Sequence, residues 1–241
     1  MNDYELKVFE EVEIWKVKIT KRSGLVNRLS KKAQLKMNGL IPEKVHNAVT
    51  ESIKAMVKAT LFGAQITANK KHASGLTLSE RDVLARRKAD FYKKTAIIEG
   101  AGTGAGGFLV GMADFPLLLS IKIKALFEIA TIYGYDTNDY SERMFILHVF
   151  MLAFSSDETR IKTLKIIENW EHKKDKLVEM DWRKFQQEYR DYIDLAKILQ
   201  MVPAIGAVVG AYANRNLLKH LGDTAINAYR LRWLEDMNAL I

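Results

Sequence analysis

Residues 97–120 read IIEGAGTGAGGFLVGMADFPLLLS, with Gly100, Gly102, Gly104, Gly106, Gly107 and Gly111 crowded into twelve positions ahead of Asp114 and Pro116. A nucleotide loop, a membrane segment and a site of close helix packing would all use such a run. Gly102, Gly104 and Gly107 satisfy G-x-G-x-x-G, a pattern that binds a dinucleotide only between a strand and a helix of a βαβ unit. A crossover helix here would carry Pro116 in its third turn, where the missing N–H and the ring clash cost about 3 kcal/mol. Glu128 stands at the distance of a ribose ligand. However, Ser120, Lys124, Glu128 and Thr131 of SIKIKALFEIATIYG fall on one helical face, and no further parallel strands follow. The glycines are not followed by G-K-[ST], so a P-loop is excluded. No cofactor is expected.

Gly100/Gly104, Gly102/Gly106 and Gly107/Gly111 lie four apart, the spacing that lets helix backbones touch, and Gly206 and Gly210 repeat it after Pro203 in ILQMVPAIGAVVGAYANR. A glycine inside a helix costs about 1 kcal/mol, so this many imply close approach or a local break in the helix. As a membrane span the first segment fares poorly. Asp114 would cost about 2.5–3.5 kcal/mol at mid-bilayer, which cancels the gain from its large apolar residues. The uncharged run from Ile198 to Asn214 is short against the roughly 20 residues a span requires. Both segments read as buried core helices or as a marginal hairpin that enters a bilayer part-way.

Around this stretch the pattern is helical throughout. Prolines occur only at 42, 116 and 203, strand-like alternation is scarce, and the expectation is an all-α, single-domain chain over residues 1–241. Val8, Val12, Trp15 and Ile19 form one stripe of a helix over residues 3–19. A basic helix with Leu25, Leu29 and Ala33 follows, then one entered at Pro42 and continued by Val45, Val49, Ile53 and Met56. In HASGLTLSERD, Ser79 with Asp82 three residues on reads as the cap of the helix leading to the glycines. Asn138 or Asp139 should cap a helix through Phe145, Val149 and Phe150; SSDETR opens another, MDWRKFQQEYRDYIDLAKIL another, and the last ends near Leu240. The organisation is thus basic helices over 1–94, a Gly-rich hairpin over 95–136 and C-terminal helices over 137–241.

The formal net charge of +8 is uneven. Residues 1–94 hold 20 Lys and Arg against 10 Asp and Glu, whereas residues 95–154 hold 3 against 6. Such a basic part meets anionic lipid or nucleic acid, or is simply a solvated surface. Candidate lipid contacts are Lys21, Arg22, Arg28, Lys31, Lys32 and Lys36, with Arg230 and Arg232 near the end. Those two arginines, like Arg215, have Asp223, Glu235 and Asp236 as alternative ion-pair partners. No recognised nucleic-acid motif accompanies residues 16–36, and nucleic acid is the less favoured partner.

Several chemistries are excluded. There is no cysteine, hence no disulfide, thiol catalysis or Cys-ligated metal. The acids in MNDYELKVFEEVEIWK oppose a secretory signal, which points to a cytoplasmic chain. Glu43-x-x-His46 is half of a di-iron signature and has no second copy; H-E-x-x-H and G-x-S-x-G are absent. No metal site and no catalytic residue is assigned. Asp114 before Phe115-Pro116 has the form of a helix cap, which would make ADFP the turn of the hairpin. Its other reading is an acid/base or binding carboxylate with a raised pKa among apolar residues, in the pocket of an enzyme or small-ligand binder with Lys124 and Glu128.

GAGTGAGGFLVGMADFPLLLSIKIKALFEIATIYGYD and VPAIGAVVGAYANRNLLKHLGDTAINAYRLRWL together resemble the EcsC family of bacterial proteins. Asp114-x-Pro116, Tyr133-Gly134-Tyr135-Asp136, Pro203, Gly206, Gly210, Asn214 and Arg230-x-Arg232 carry the resemblance. LSKKAQLKMNGLIPEKVHNAVTESIKAMVKATLFGA extends it to nearly the whole chain. It implies a setting rather than a reaction: a non-enzymatic accessory or scaffold protein, peripheral on the inner face of the membrane, whose partner is an ABC transporter. A homo-oligomer is compatible with all of this.

Overall fold

The computed structural model describes residues 1–21, 43–62, 75–104, 115–174 and 206–238. Among them there are eight helices and no strand, which confirms the all-α reading. The helices are α1 (Asp3–Thr20), α2 (Glu43–Phe62), α3 (Leu78–Gly104), α4 (Phe115–Tyr133), α5 (Tyr140–Phe154), α6 (Asp157–Ile167), the single turn α7 (Trp170–Lys173) and α8 (Gly206–Asn238). The expected basic helix after Lys21 and the expected helix at MDWRKFQQEYRDYIDLAKIL lie outside the described residues.

Local chemistry sets the boundaries. At α1 the Asn2 carboxamide accepts from the Glu5 N–H (2.9 Å) and the Glu5 carboxylate accepts from the Asn2 N–H (2.8 Å), a reciprocal capping box. Val8, Val12 and Ile19 then turn inward, with Trp15 partly buried beside them. Asp139 caps α5, and α6 begins directly after Ser156. The expected Ser79/Asp82 cap is corrected. The box is two residues earlier, where Thr77 and Glu80 exchange bonds between each side chain and the other's N–H. T-x-x-E is the better capping pair, and Asp82, one turn into α3, is buried instead.

α3, α4 and α8 form the frame. Asp82 meets Tyr133 and Tyr92 meets Glu128, so α3 and α4 run antiparallel. Asp82 also meets Arg230, and Ala89 faces Gly222, so α8 is antiparallel to α3 as well. A Cβ placed on Gly222 would lie 2.9 Å from the Cβ of Ala89, so only glycine allows α3 and α8 this close. α5 lies buried along nearly its whole length, with Phe145, Val149, Phe150 and Phe154 in the core; α1 packs on α8 and α6, and α2 on α4 and α5.

This topology places the ends. The last turns of α3, with Gly100, Gly102 and Gly104, the first turn of α4, with Pro116, and the first turns of α8, with Gly206 and Gly210, share one end of the frame. Gly106, Gly107, Gly111, Asp114 and Pro203 lie outside the described residues. Among the described residues, no helix is long and apolar enough to cross a membrane.

Candidate functional site

The end of the frame opposite the glycines is built from charge. α4 finishes in a Schellman motif: Tyr135 N–H donates to Ala130 O (3.1 Å) and Gly134 N–H to Thr131 O (3.0 Å), with Gly134 at φ +98°. Arg81 donates to Ile132 O (2.8 Å), adding a cation at that C-terminus, and its guanidinium lies 4.8 Å from the Trp233 ring centre. A side chain at Gly134 would meet both the left-handed backbone and Arg81, whose Nη1 is 2.8 Å from the Cβ position. Arg143 closes α2 in the same manner, donating to Leu61 O (3.0 Å) and Thr137 O (2.9 Å).

Two arginines one residue apart on α8 organise the remaining charges. Arg230 donates through Nε to Asp82 (2.9 Å) and through Nη1 to Glu11 of α1 (2.8 Å). Asp82 also receives the Tyr4 hydroxyl (2.6 Å) and the Tyr133 hydroxyl. Arg232, pointing to the other side of α8, binds Glu142 of α5 and Glu171 of α7 (2.8 Å), while the Tyr229 hydroxyl donates to Glu142 (2.7 Å). Tyr133 stacks on Tyr229 at 5.7 Å between centroids, and Arg232 covers the Tyr135 ring at 4.0 Å. Burial works against the charge on each arginine, but the facing carboxylates outweigh it and hold both pKa values above the usual guanidinium range. A carboxylate so fully occupied offers no free acid, base or ligand; these networks join α1, α3, α5 and α7 to α8.

The expectation that Arg230 and Arg232 contact lipid phosphate is therefore corrected. They are 3% and 6% exposed, and their partners come from other helices rather than from nearby Asp223, Glu235 or Asp236. Lys21 is exposed just beyond α1, while Arg22, Arg28, Lys31, Lys32 and Lys36 lie outside the described residues. Of the expected pocket, Asp114 is likewise outside. Lys124 is exposed on α4, and Glu128 accepts from Tyr92 (2.6 Å) and Lys88 (2.6 Å), fastening α4 to α3. No group of three or more His, Asp or Glu among the described residues could hold a metal ion.

Sequence reasoning missed the outer face of α3. Leu78, Asp82, Ala85, Ala89, Tyr92 and Ala96 point inward. Opposite them, Val83, Arg87, Phe91, Lys94 and Ile98 follow one another at four- and three-residue steps, with Phe91 58% and Ile98 73% exposed. Arg86 flanks this row. Arg86, Arg87 and Lys94 form no ion pair with a described residue, whereas Lys93 holds Asp90 and Lys88 holds Glu128. The row therefore combines exposed cations with bare apolar side chains. RRKADFYKK displays the cations, but which way they point depends on where the core lies.

Comparison with known proteins agrees with the motifs. The model of the EcsC protein family matches residues 6–234. The chain is 50% identical over 236 residues to Protein EcsC of Bacillus subtilis (strain 168), covering 98% of each chain. It is 33% identical over 141 residues to Uncharacterized protein YdbA of the same organism, covering 57% of this chain and 52% of that one. No solved structure matches. With a family model spanning most of its length and a relative aligned almost end to end, the chain belongs to the EcsC protein family.

Proposed function

We propose that this protein is a non-enzymatic accessory protein that binds the cytoplasmic face of the membrane, with the outer face of α3 against anionic lipid. The observation that carries this reading is the row of exposed Phe91 and Ile98 among Arg86, Arg87 and Lys94, which form no ion pair with a described residue. A helix lying in the interface needs this composition, with apolar side chains reaching the acyl boundary and cations at headgroup level. Each well-placed cation contributes about 1 kcal/mol, so three give a reversible attachment that salt weakens. The +10 balance of residues 1–94 extends the same attraction beyond α3. A membrane transporter is the functional partner in this reading, and the protein supplies a surface rather than a reaction.

Flotation of the purified protein with neutral and anionic vesicles, at low and high salt, tests the proposal. Flotation with anionic vesicles alone, lost at high salt and lost in Arg86→Glu/Arg87→Glu/Lys94→Glu, is the expected result. Retention of binding in that variant would move the contact elsewhere. A protein that never floats would remove the lipid reading, and equal retention on DNA would favour nucleic acid.

A further inference from the structure

α1 has a second face. Val8, Val12 and Ile19 point into the core, while Ile14 and Val17, 69% and 70% exposed, point away from it. Glu10 and Lys21 continue this outer line, so Glu10, Ile14, Val17 and Lys21 succeed one another at steps of four, three and four, the spacing of a coiled-coil seam. Neither Glu10 nor Lys21 forms an ion pair with a described residue. Their neighbours are occupied: Glu13 holds Lys16 (2.6 Å), Lys16 also reaches Glu168 (3.1 Å), and Glu11 serves Arg230. The unpaired acid stands towards the start of α1 and the unpaired base at its end.

We propose that this face pairs with the same face of a second copy, antiparallel, about a two-fold axis. The register that sets Ile14 against Val17 of the second copy also sets Glu10 against its Lys21, and the two-fold repeats each contact. A parallel pair would set Glu10 against Glu10 and Lys21 against Lys21, so the charges select the antiparallel arrangement. The opposed charges also make an anionic bilayer a poor occupant, unlike the cationic face of α3. α1 is about 27 Å long, so the seam is short and the dimer is a reversible one.

Sedimentation velocity of the full-length protein across a concentration range tests this. The expected result is a monomer–dimer equilibrium that Ile14→Asp or Val17→Asp abolishes without lowering Tm. Glu10→Lys and Lys21→Glu, which each set like charges against one another twice, should weaken it by about 10-fold. Glu10→Lys combined with Lys21→Glu should restore it. A monomer at every concentration, a dimer indifferent to Ile14→Asp, or a double reversal that fails to recover would each overturn the proposal. If Ile14→Asp leaves the mass unchanged but reduces vesicle flotation, the face belongs to lipid instead. None of these substitutions touches α3, and self-association is read by sedimentation without vesicles, so the result is separate from that of the proposed function.

Discussion

Two pairs of arginines have opposite fates in this molecule. Arg230 and Arg232, at the C-terminal end of α8, lie among aromatic rings with every strong donor engaged by a carboxylate from another helix. Arg86 and Arg87, in the third turn of α3, are exposed, with bare Phe91 one turn on from Arg87. Acids lie close in sequence to both pairs, Glu235 and Asp236 in one place and Asp82 and Asp90 in the other, so the local sequence does not say which cations the fold engages. A cation that the fold already uses has little left for a ligand; one that the fold leaves alone is available to bind.

The largest test of this contrast is Asp82→Ala. It leaves the Arg230 charge buried against Glu11 alone and should cost about 3–5 kcal/mol in denaturant unfolding. Arg230→Ala should cost less, since the hydroxyls of Tyr4 and Tyr133 still serve Asp82, and the two losses should not add. Next is Gly134→Ala, which puts a side chain at positive φ and displaces Arg81 from Ile132 O; a loss of about 1–3 kcal/mol is expected from the same measurement. Should Gly134→Ala match wild type, the polar end is more yielding than its geometry implies.

A smaller effect depends on pH. Burial, and then the charges of Asp236, Glu168 and Glu171, push Glu235 up to about 7 despite Lys16. Its folded pKa exceeds its unfolded one, so the folded state favours the protonated form, and stability falls as pH rises from about 4.5 through 7. Burial shifts His148 the other way, down to about 4, so its contribution is full above about 6.5 and is lost as pH falls towards 4. Glu235→Gln should raise Tm at pH 8 by a few degrees and scarcely alter it at pH 5. Smallest is Arg87→Glu, expected within about 0.5 kcal/mol of wild type in stability while vesicle binding declines.

Much of the helix inventory was legible because caps and apolar stripes are local. The Val8 to Ile19 stripe, the cap at Asn138 or Asp139 before α5 and the SSDETR start of α6 needed only spacing and side-chain chemistry. What was not legible depends on which helices meet. Asp82 occupies an apolar stripe between Leu78 and Ala85, the one sign that it was a core residue awaiting a distant partner rather than a cap. Gly222 has no glycine four residues away, yet it packs in close helix contact, because Ala89 on α3 supplies the other small side. Arg230 and Arg232 had acids close in sequence, but the turn of α8 aims the two side chains at different neighbouring helices.

The Asp82–Arg230 bond also sets a timetable. Its partners are 148 residues apart, so at about 5–20 residues per second the ribosome needs roughly 7–30 s to supply the arginine after the aspartate has been made. During that interval α3 has its inward carboxylate exposed and no α8 to cover Ala85 and Ala89. The central part of the chain therefore cannot complete its core until α8 has been made, and a nascent chain stalled before α8 should be a substrate for chaperones and proteases.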